Sequence, residues 1–383
     1  MIKKKAVKEM LEKIMNSPSL RKIAILMVLS MGYAHAETYQ QVVINEYGPP
    51  NVMQLVNQTI LPEPGAGEVR IKVLAAGVSF TDTVVRKGIY VGVDANFPFS
   101  PGYDLVGIID MLGPEVTEFT VGERVADLTV YGAYTEYAIR PTTALVPVPS
   151  DVDPVEAVSL VLSYTSAYQM LHRVADLKPG QTILIHGASG AVGMALAQIG
   201  NVAGLKMFGT ASTSKQDFVA NLGVTPIDYK TEDFVEKVMA ATQNKGVDVV
   251  FDAVGIDNFK RSYSVLNPDG KLVTYGFYSR SLDSQTGDSF QMVKEFLKWK
   301  WLQLRWNWFP EEQRSVDFYS ITGLRESHSD WFKEDLAQLF QLLANNEIEP
   351  NIWKVLPLAE AIQAHQFLEA GKVRGKIVLK IAD

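Results

Sequence analysis

The stretch that most constrains the fold runs from Thr182 to Gly204: Thr-Ile-Leu-Ile-His-Gly-Ala-Ser-Gly-Ala-Val-Gly, then Met-Ala-Leu-Ala-Gln-Ile-Gly-Asn-Val-Ala-Gly. Ile183, Leu184 and Ile185 form an apolar run that reads as a buried strand, and Val192, Ala195, Leu196 and Ile199 recur at helical spacing. Between them Gly187, Gly190 and Gly193 are spaced G-x-x-G-x-x-G. Such a turn lets backbone N–H groups approach a pyrophosphate at a helix N-terminus, where the partial positive charge favours an anion. Tight strand-to-helix turns need glycine anyway, so the motif alone leaves a nucleotide site and a structural turn both open, and the surrounding chain has to decide.

That chain has 383 residues, enough for two domains after any leader. Its 36 basic and 43 acidic residues give a net charge of −7, which argues against nonspecific nucleic-acid binding. There is no cysteine, which excludes disulfides, thiolate metal sites and cysteine nucleophiles. Residues 1–36 read as a leader. Lys3, Lys4, Lys5, Lys8, Lys13, Arg21 and Lys22 make a basic start, Ile23 to Met31 an apolar run, and Ala34-His35-Ala36 a small-x-small site before Glu37. This is the order of a secretory signal peptide, too short to span a bilayer. Export to a periplasm or the medium is expected. A basic amphipathic helix, or an extension from a wrongly chosen start in a cytoplasmic protein, is the alternative.

From 37 to about 160 the pattern turns to short strands and turns: Gln41 to Asn45, Val69 to Ala75, Ile108 to Asp110 and Tyr134 to Ile139, punctuated by Pro62, Pro64, Gly65 and Gly67. Two local motifs stand out, Ala76-Gly-Val-Ser-Phe-Thr-Asp82 and Pro101-Gly-Tyr-Asp-Leu-Val-Gly107. From 161 to 312 strand and helix alternate, as a parallel sheet requires. After the glycine turn come Lys206 to Thr210, Thr225 to Tyr229, Val247 to Val254 and Gly270 to Gly276.

With these pieces in hand the chain resembles the medium-chain dehydrogenases/reductases. The A-G-V-x-x-x-D, P-G-x-D-x-x-G, G-E-R-V (Gly122 to Val125) and G-x-x-G-x-x-G pieces occur in that family's order. The resemblance implies an α/β chain: a GroES-like β-rich catalytic domain (37–160), a Rossmann domain with a doubly wound parallel sheet (161–312), and a C-terminal return to the catalytic domain (313–383). The closing G-K-x-V-L is matched by Gly375 to Leu379. Zinc-dependent members place a cysteine where this chain has Ser79 and a histidine where it has Tyr103, and they carry a cysteine-rich structural loop absent here. A hydroxyl and a phenol are poor zinc ligands, so no metal is expected. The branch it resembles is the zinc-independent quinone oxidoreductases, near the zeta-crystallin and vesicle-amine-transport-like group, given Phe208 to Ser212, Pro226 to Tyr229 and Lys271 to Gly276.

The end of the second Rossmann strand selects the cofactor. NAD enzymes hold the ribose 2′-hydroxyl there with an acidic residue about 20 positions past the glycines. Here Ser212, Thr213 and Ser214 precede Lys215. Hydroxyls and an ammonium suit a 2′-phosphate, so NADPH is expected. By resemblance Lys215 and Tyr229 hold that phosphate, and Thr165 lies near the cofactor. Gly187, Ser189, Gly190, Ala191, Val192 and Gly193 are expected around the pyrophosphate, and Gly276 at the end of the fifth strand.

For the chemistry, Tyr90 in Arg86-Lys-Gly-Ile-Tyr-Val-Gly92 matches a tyrosine that lines the substrate site in the quinone oxidoreductases and donates a proton in related enoyl reductases. A tyrosine packing on the rim is its alternative. Ser79 and Asp82 fall on the motif that faces the nicotinamide, with Asp82 open to a purely structural role. His365 reads as a packing or surface residue of a helix from Ala359, and no Ser/His/Asp constellation supports hydrolysis. The segment Val293 to Phe309 holds four of the six tryptophans among lysine and arginine. A helix packed over the cleft or at a dimer interface is preferred to a membrane-surface patch, because its apolar residues crowd several faces. The expectation is a homodimeric NADPH-dependent reductase of a quinone or an α,β-unsaturated carbonyl. The alternative is an NADPH-binding protein without turnover, in a membrane-associated or structural role.

Overall fold

Alternating and apolar runs bounded by glycine and proline become strands, and most of them sort into two large sheets. The computed structural model describes residues 38–90, 93, 95–279, 289–310 and 312–382. The expected leader, residues 1–36, lies outside them. The chain divides into two compact units, Met1–Tyr39 with Asn57–Leu61, and Gln40–Val56 with Pro62–Asp383. Everything that follows lies within the second.

The first sheet is built on β1 (Glu68–Val78). Val69, Ile71 and Val73 turn inward while Lys72 turns out, the alternation of a half-buried strand. The short helix α1 (Phe80–Arg86) follows directly. β2 (Leu105–Leu112) and β4 (Tyr137–Pro141) pair antiparallel with β1, and β3 (Arg124–Asp127) bridges β2 to β5 (Val146–Pro147).

The second sheet opens with β6 (Thr182–Ile185), followed by helix α2 (Ala191–Val202) and then β7 (Lys206–Ala211), β8 (Thr225–Asp228), β9 (Val247–Asp252) and β10 (Leu266–Thr274). After the long helix α3 (Ser289–Trp308) comes β11 (Ser315–Phe318). All six strands run parallel in the order β8-β7-β6-β9-β10-β11. The order reverses between β6 and β9, and that is where a doubly wound sheet opens its ligand crevice.

The sixth strand corrects the expected boundary at 312. β11 lies past it and pairs with β10 from Lys271↔Ser315 to Thr274↔Phe318. Helix α4 (Ser329–Ala344) packs Phe332, Leu336, Leu339 and Phe340 into a core that holds Ile185 and Met194. The return to the first sheet begins only at β12 (Ile352–Pro357). It continues through helix α5 (Ala361–Glu369) to β13 (Lys376–Lys380), which inserts between β12 and β1.

Two features set the halves against each other. One apolar core holds Ala75, Tyr103 and Val106 of the first half with Ile183, Ile185 and Val249 of the second. The last strand is also stitched to both. Ile377 pairs with Val78, one residue before Ser79, while Gly375 bridges Gly190 and donates its N–H to the Ser189 carbonyl at 2.9 Å.

Candidate active site

The glycine turn presents backbone rather than side chains. Gly187 has φ +68°, with open space where a Cβ would stand. At Gly193 a Cβ would lie 2.4 Å from the Gly187 carbonyl oxygen, so only glycine lets α2 press this closely on the turn. Gly190 caps α2 without any side-chain hydrogen bond, which leaves the first amides, those of Ala191, Val192 and Gly193, at the positive end of the helix. Beneath the turn runs a polar chain. The Gly187 N–H donates to Thr210 Oγ1 (3.2 Å), Thr210 meets His186 Nδ1 (3.1 Å), His186 Nε2 meets Ser262 Oγ (3.0 Å), and Ser262 donates to Asp252 (2.6 Å). Burial pushes the His186 imidazole down despite Asp252, so it serves here as a neutral spacer. Nothing in the local sequence pattern points to this chain, because its members lie on the turn, two strands and a helix.

At the far ends of β7 and β8 a cationic corner forms. Ser212 precedes the turn Thr213–Lys215. Lys215 Nζ donates to the Val373 carbonyl (2.6 Å), and Arg374 Nη2 donates to the Ser214 carbonyl (2.8 Å). Partial burial, then the Arg374 charge, push the Lys215 ammonium down. Among the described residues neither cation makes an ion pair. Tyr229 stands half-exposed beside them, its N–H tied to Ala211 and the Lys230 ammonium 5.2 Å from its ring centre. The nearby Asp228 carboxylate is committed to the Thr213 hydroxyl and the Lys230 N–H. Arg374 is a member that the sequence reading lacked, since it arrives from the chain's other end. Two other expected cofactor residues differ in setting. Gly276 follows β10 and packs on Ala253. Thr165 is fully buried and spends its hydroxyl on the Leu160 carbonyl (3.1 Å), within a helical run containing π-turns.

The facing wall is built from α1. Ser79 caps it reciprocally with Asp82: Asp82 Oδ2 accepts from the Ser79 N–H (2.7 Å) and hydroxyl (2.9 Å). Oδ2 also accepts from Tyr134 OH (3.3 Å), and Tyr134 meets His365 Nε2 (3.2 Å), whose Nδ1 faces Arg86 Nη1 (2.9 Å). A guanidinium can only donate, so Nδ1 is the acceptor and Nε2 carries the hydrogen. The chain is therefore directed from Arg86 through His365 and Tyr134 to Asp82, and Arg86 is itself paired to Glu369. Burial, then the Arg86 charge, hold the His365 imidazole well below its ordinary range. His365 thus packs, as expected, but it also orients. Burial pushes Asp82 up to about 7; the Ser79 N–H opposes the shift and the Asp104 charge adds to it. Asp82 Oδ1 is buried without a partner, as is Oδ1 of Asp104, whose other oxygen takes Lys376 Nζ at 3.2 Å.

Tyr90 and Tyr103 bring their hydroxyls to 2.9 Å. Burial pushes Tyr90 up, and hydrogen bonds from Tyr103 and then Thr322 oppose that shift. Tyr103 is fully buried and is pushed up further, by burial first and then by Tyr90. One hydrogen is shared between the Tyr90 and Tyr103 oxygens, and when Tyr103 donates it the hydrogen of Tyr90 is left to point elsewhere. Tyr90 packs on the same core as Val192 of the glycine turn. Phe80 packs against Tyr278 beyond β10 with ring centres 4.3 Å apart, and Val84 and Ile89 meet Phe277. The Ser79 wall therefore meets the carboxyl ends of the parallel strands, the place where such a sheet takes its ligand. Ser79 is bonded to Asp82 and Tyr103 to Tyr90, and neither offers a thiolate or imidazole, so these positions do not fit a zinc ion. No group of acidic, histidine or cysteine side chains suited to a metal occurs among the described residues.

Comparison with known proteins bears on this arrangement. Residues 65–150 match the alcohol dehydrogenase GroES-like domain and residues 222–379 match the zinc-binding dehydrogenase family. The chain is 32% identical to a 2-haloacrylate reductase of Burkholderia sp over 338 residues, covering 87% of this chain and 96% of that one. It is 30% identical to a synaptic vesicle membrane protein VAT-1 homolog of Danio rerio over 344 residues, covering 89% and 70%. The crystal structure of Escherichia coli quinone oxidoreductase complexed with NADPH superposes with a TM-score of 0.77 at 26% identity, covering 89% of this chain and 99% of that one.

Proposed function

The chain belongs to the zinc-independent quinone oxidoreductase group of the medium-chain dehydrogenase/reductase family, and from that premise we propose that it reduces a quinone or an α,β-unsaturated carbonyl with NADPH. The observation that carries this reading is the Tyr90–Tyr103 hydroxyl pair, in which Tyr103 stands at the position where zinc-dependent members carry a histidine. The amides of Ala191, Val192 and Gly193 and the open cradle at Gly187 fit a pyrophosphate. Lys215 and Arg374, cations without carboxylate partners, fit a 2′-phosphate. When bound, the nicotinamide supplies a hydride to the electrophilic carbon of the acceptor. The protein's part is to hold that carbon, exclude water and deliver a proton to the oxygen on which charge develops. Tyr90 is the donor in this reading, and the Tyr103 hydroxyl at 2.9 Å is placed to donate to the phenolate left behind. Ser79, fixed by Asp82, holds its hydroxyl in the same wall.

A protein that binds NADPH without turnover is not favoured, since the relatives include a 2-haloacrylate reductase and a probable quinone oxidoreductase. An oxidation assay with small quinones and enones separates the two, and binding without turnover across such a panel overturns the proposal. Lys215→Glu is expected to weaken NADPH by about 10- to 100-fold, the loss of one close charge contact, and to leave NADH nearly unchanged. Equal wild-type affinities for the two cofactors would remove the assignment. A homodimer and export through residues 1–36 complete the proposal. Sedimentation tests the first. N-terminal sequencing of the mature chain tests the second, and a mature start before Glu37 contradicts it.

A further inference from the structure

Helix α3 carries two apolar faces, which is why its sequence lacks a clean amphipathic signature. The inner face packs on the parallel-sheet half. Trp299 is fully buried 4.8 Å from Phe318, Leu302 is buried, and Trp306 stacks on Tyr263 at 4.5 Å. The outer face does not. Phe290, Val293, Leu297, Trp301, Leu304 and Trp308 recur at steps of three and four and are 74%, 42%, 62%, 64%, 49% and 73% exposed. At about 1.5 Å per residue this is a straight apolar stripe roughly 30 Å long. Single exposed apolar side chains are ordinary, but a contiguous row of this size marks a contact surface.

The charges along the stripe say what it meets. Lys294, Lys298 and Arg305 lie along one margin and Lys300 along the other, all exposed. The helix's one acid, Glu295, is turned inward, buried and paired to Lys298. A second copy of the chain, docked through the same stripe, would lay basic margin against basic margin. A surface of anionic headgroups is complementary to both the stripe and its margins. Such a helix, with tryptophan, phenylalanine and leucine on one strip and lysine and arginine beside it, lies in the plane of a bilayer interface. No helix among the described residues is long and apolar enough to cross a membrane.

We propose that the outer face of α3 seats this protein on a bilayer surface bearing anionic headgroups. The full chain is tested by flotation with vesicles of phosphatidylcholine containing about 30% phosphatidylserine, and with phosphatidylcholine alone. The wild type is expected to float with the anionic vesicles, less so as salt rises, and to shift its tryptophan emission to the blue. Leu297→Glu combined with Trp301→Glu, both on the exposed face, is expected to lower vesicle affinity by about tenfold or more. Thermal stability and NADPH oxidation in solution should be retained, showing that the fold survives. No flotation of the wild type overturns the proposal. So does equal flotation of the variant, which would place the attachment elsewhere in the chain, residues 1–36 included. A wild-type dimer that dissociates in the variant, without vesicle binding, assigns the stripe to a second copy and also overturns it.

Discussion

The glycine turn and the Ser79 wall face one crevice and are built on opposite principles. The turn offers peptide N–H groups, excludes side chains by glycine, and rests on a neutral chain from Thr210 to Ser262. The wall rests on buried ionisable groups: Asp82, Asp104, Lys376, Arg86 and His365. Holding an anion needs donors that never change their protonation, and backbone amides meet that need without desolvating a charge. Supplying a proton needs groups whose protonation can change, and these must be buried, bonded and balanced against each other, at greater cost. One wall is therefore sensitive to added volume and the other to pH.

The sharpest way to break this contrast is volume at the turn. Gly193→Val would drive a side chain into the Gly187 carbonyl, where backbone cannot yield. NADPH affinity is expected to fall more than about 10²-fold by fluorescence titration, and near-normal binding would show that the turn is not close-packed around its ligand. On the other wall, Tyr90→Phe is expected to lower kcat for enones by roughly 10²-fold with little change in NADPH binding. An unchanged rate returns Tyr90 to the rim. Tyr103→Phe, which keeps the buried ring, is expected to cost about tenfold in kcat. Added to Tyr90→Phe it should cost almost nothing more, because its effect runs through Tyr90, and full additivity would refute that route.

The smallest effect is the most diagnostic of the wall. Asp82 is raised from 3.8 to about 7 in the folded protein, so between those values the unfolded chain releases a proton that the folded one keeps. Stability contributed by this group therefore falls as pH rises through that window. The buried His365 acts in the opposite sense. Its folded value is depressed, so stability is lost as pH drops below 6.5, where the unfolded imidazole takes up a proton. Asp82→Asn should remove the first slope and leave the second, so that melting temperature rises with pH up to about 6.5 in the variant. A melting profile identical to wild type would mean that Asp82 does not titrate in this window.

Much of the parallel sheet was legible because Ile183 to Ile185, Val247 to Phe251 and the glycines repeat a pattern that few other structures use. β11 was not: Ser315-Val-Asp-Phe318 is four residues with one fully buried, and only its place beside β10 makes it a strand. The site divides in the same way. Ser79 and Asp82 sit three residues apart on a helix start, a local relation that sequence shows. The pairing of Tyr134 with His365, and the delivery of Arg374 to the end of β7, depend on how the chain's end folds back, for which local pattern carries no signal. Thr165 shows the converse: its position matched, but its hydroxyl is turned to its own helix.

The insertion of β13 between β12 and β1 has a consequence for how the protein is made. Domains commonly fold in order as they leave the ribosome. Here the first sheet to be synthesised keeps an open edge at β1 until β13 emerges, after the whole parallel sheet has been translated. The same segment completes the glycine turn through Gly375 and brings Arg374. A chain lacking residues 372–383 would lose β13, the turn's brace and the cation together.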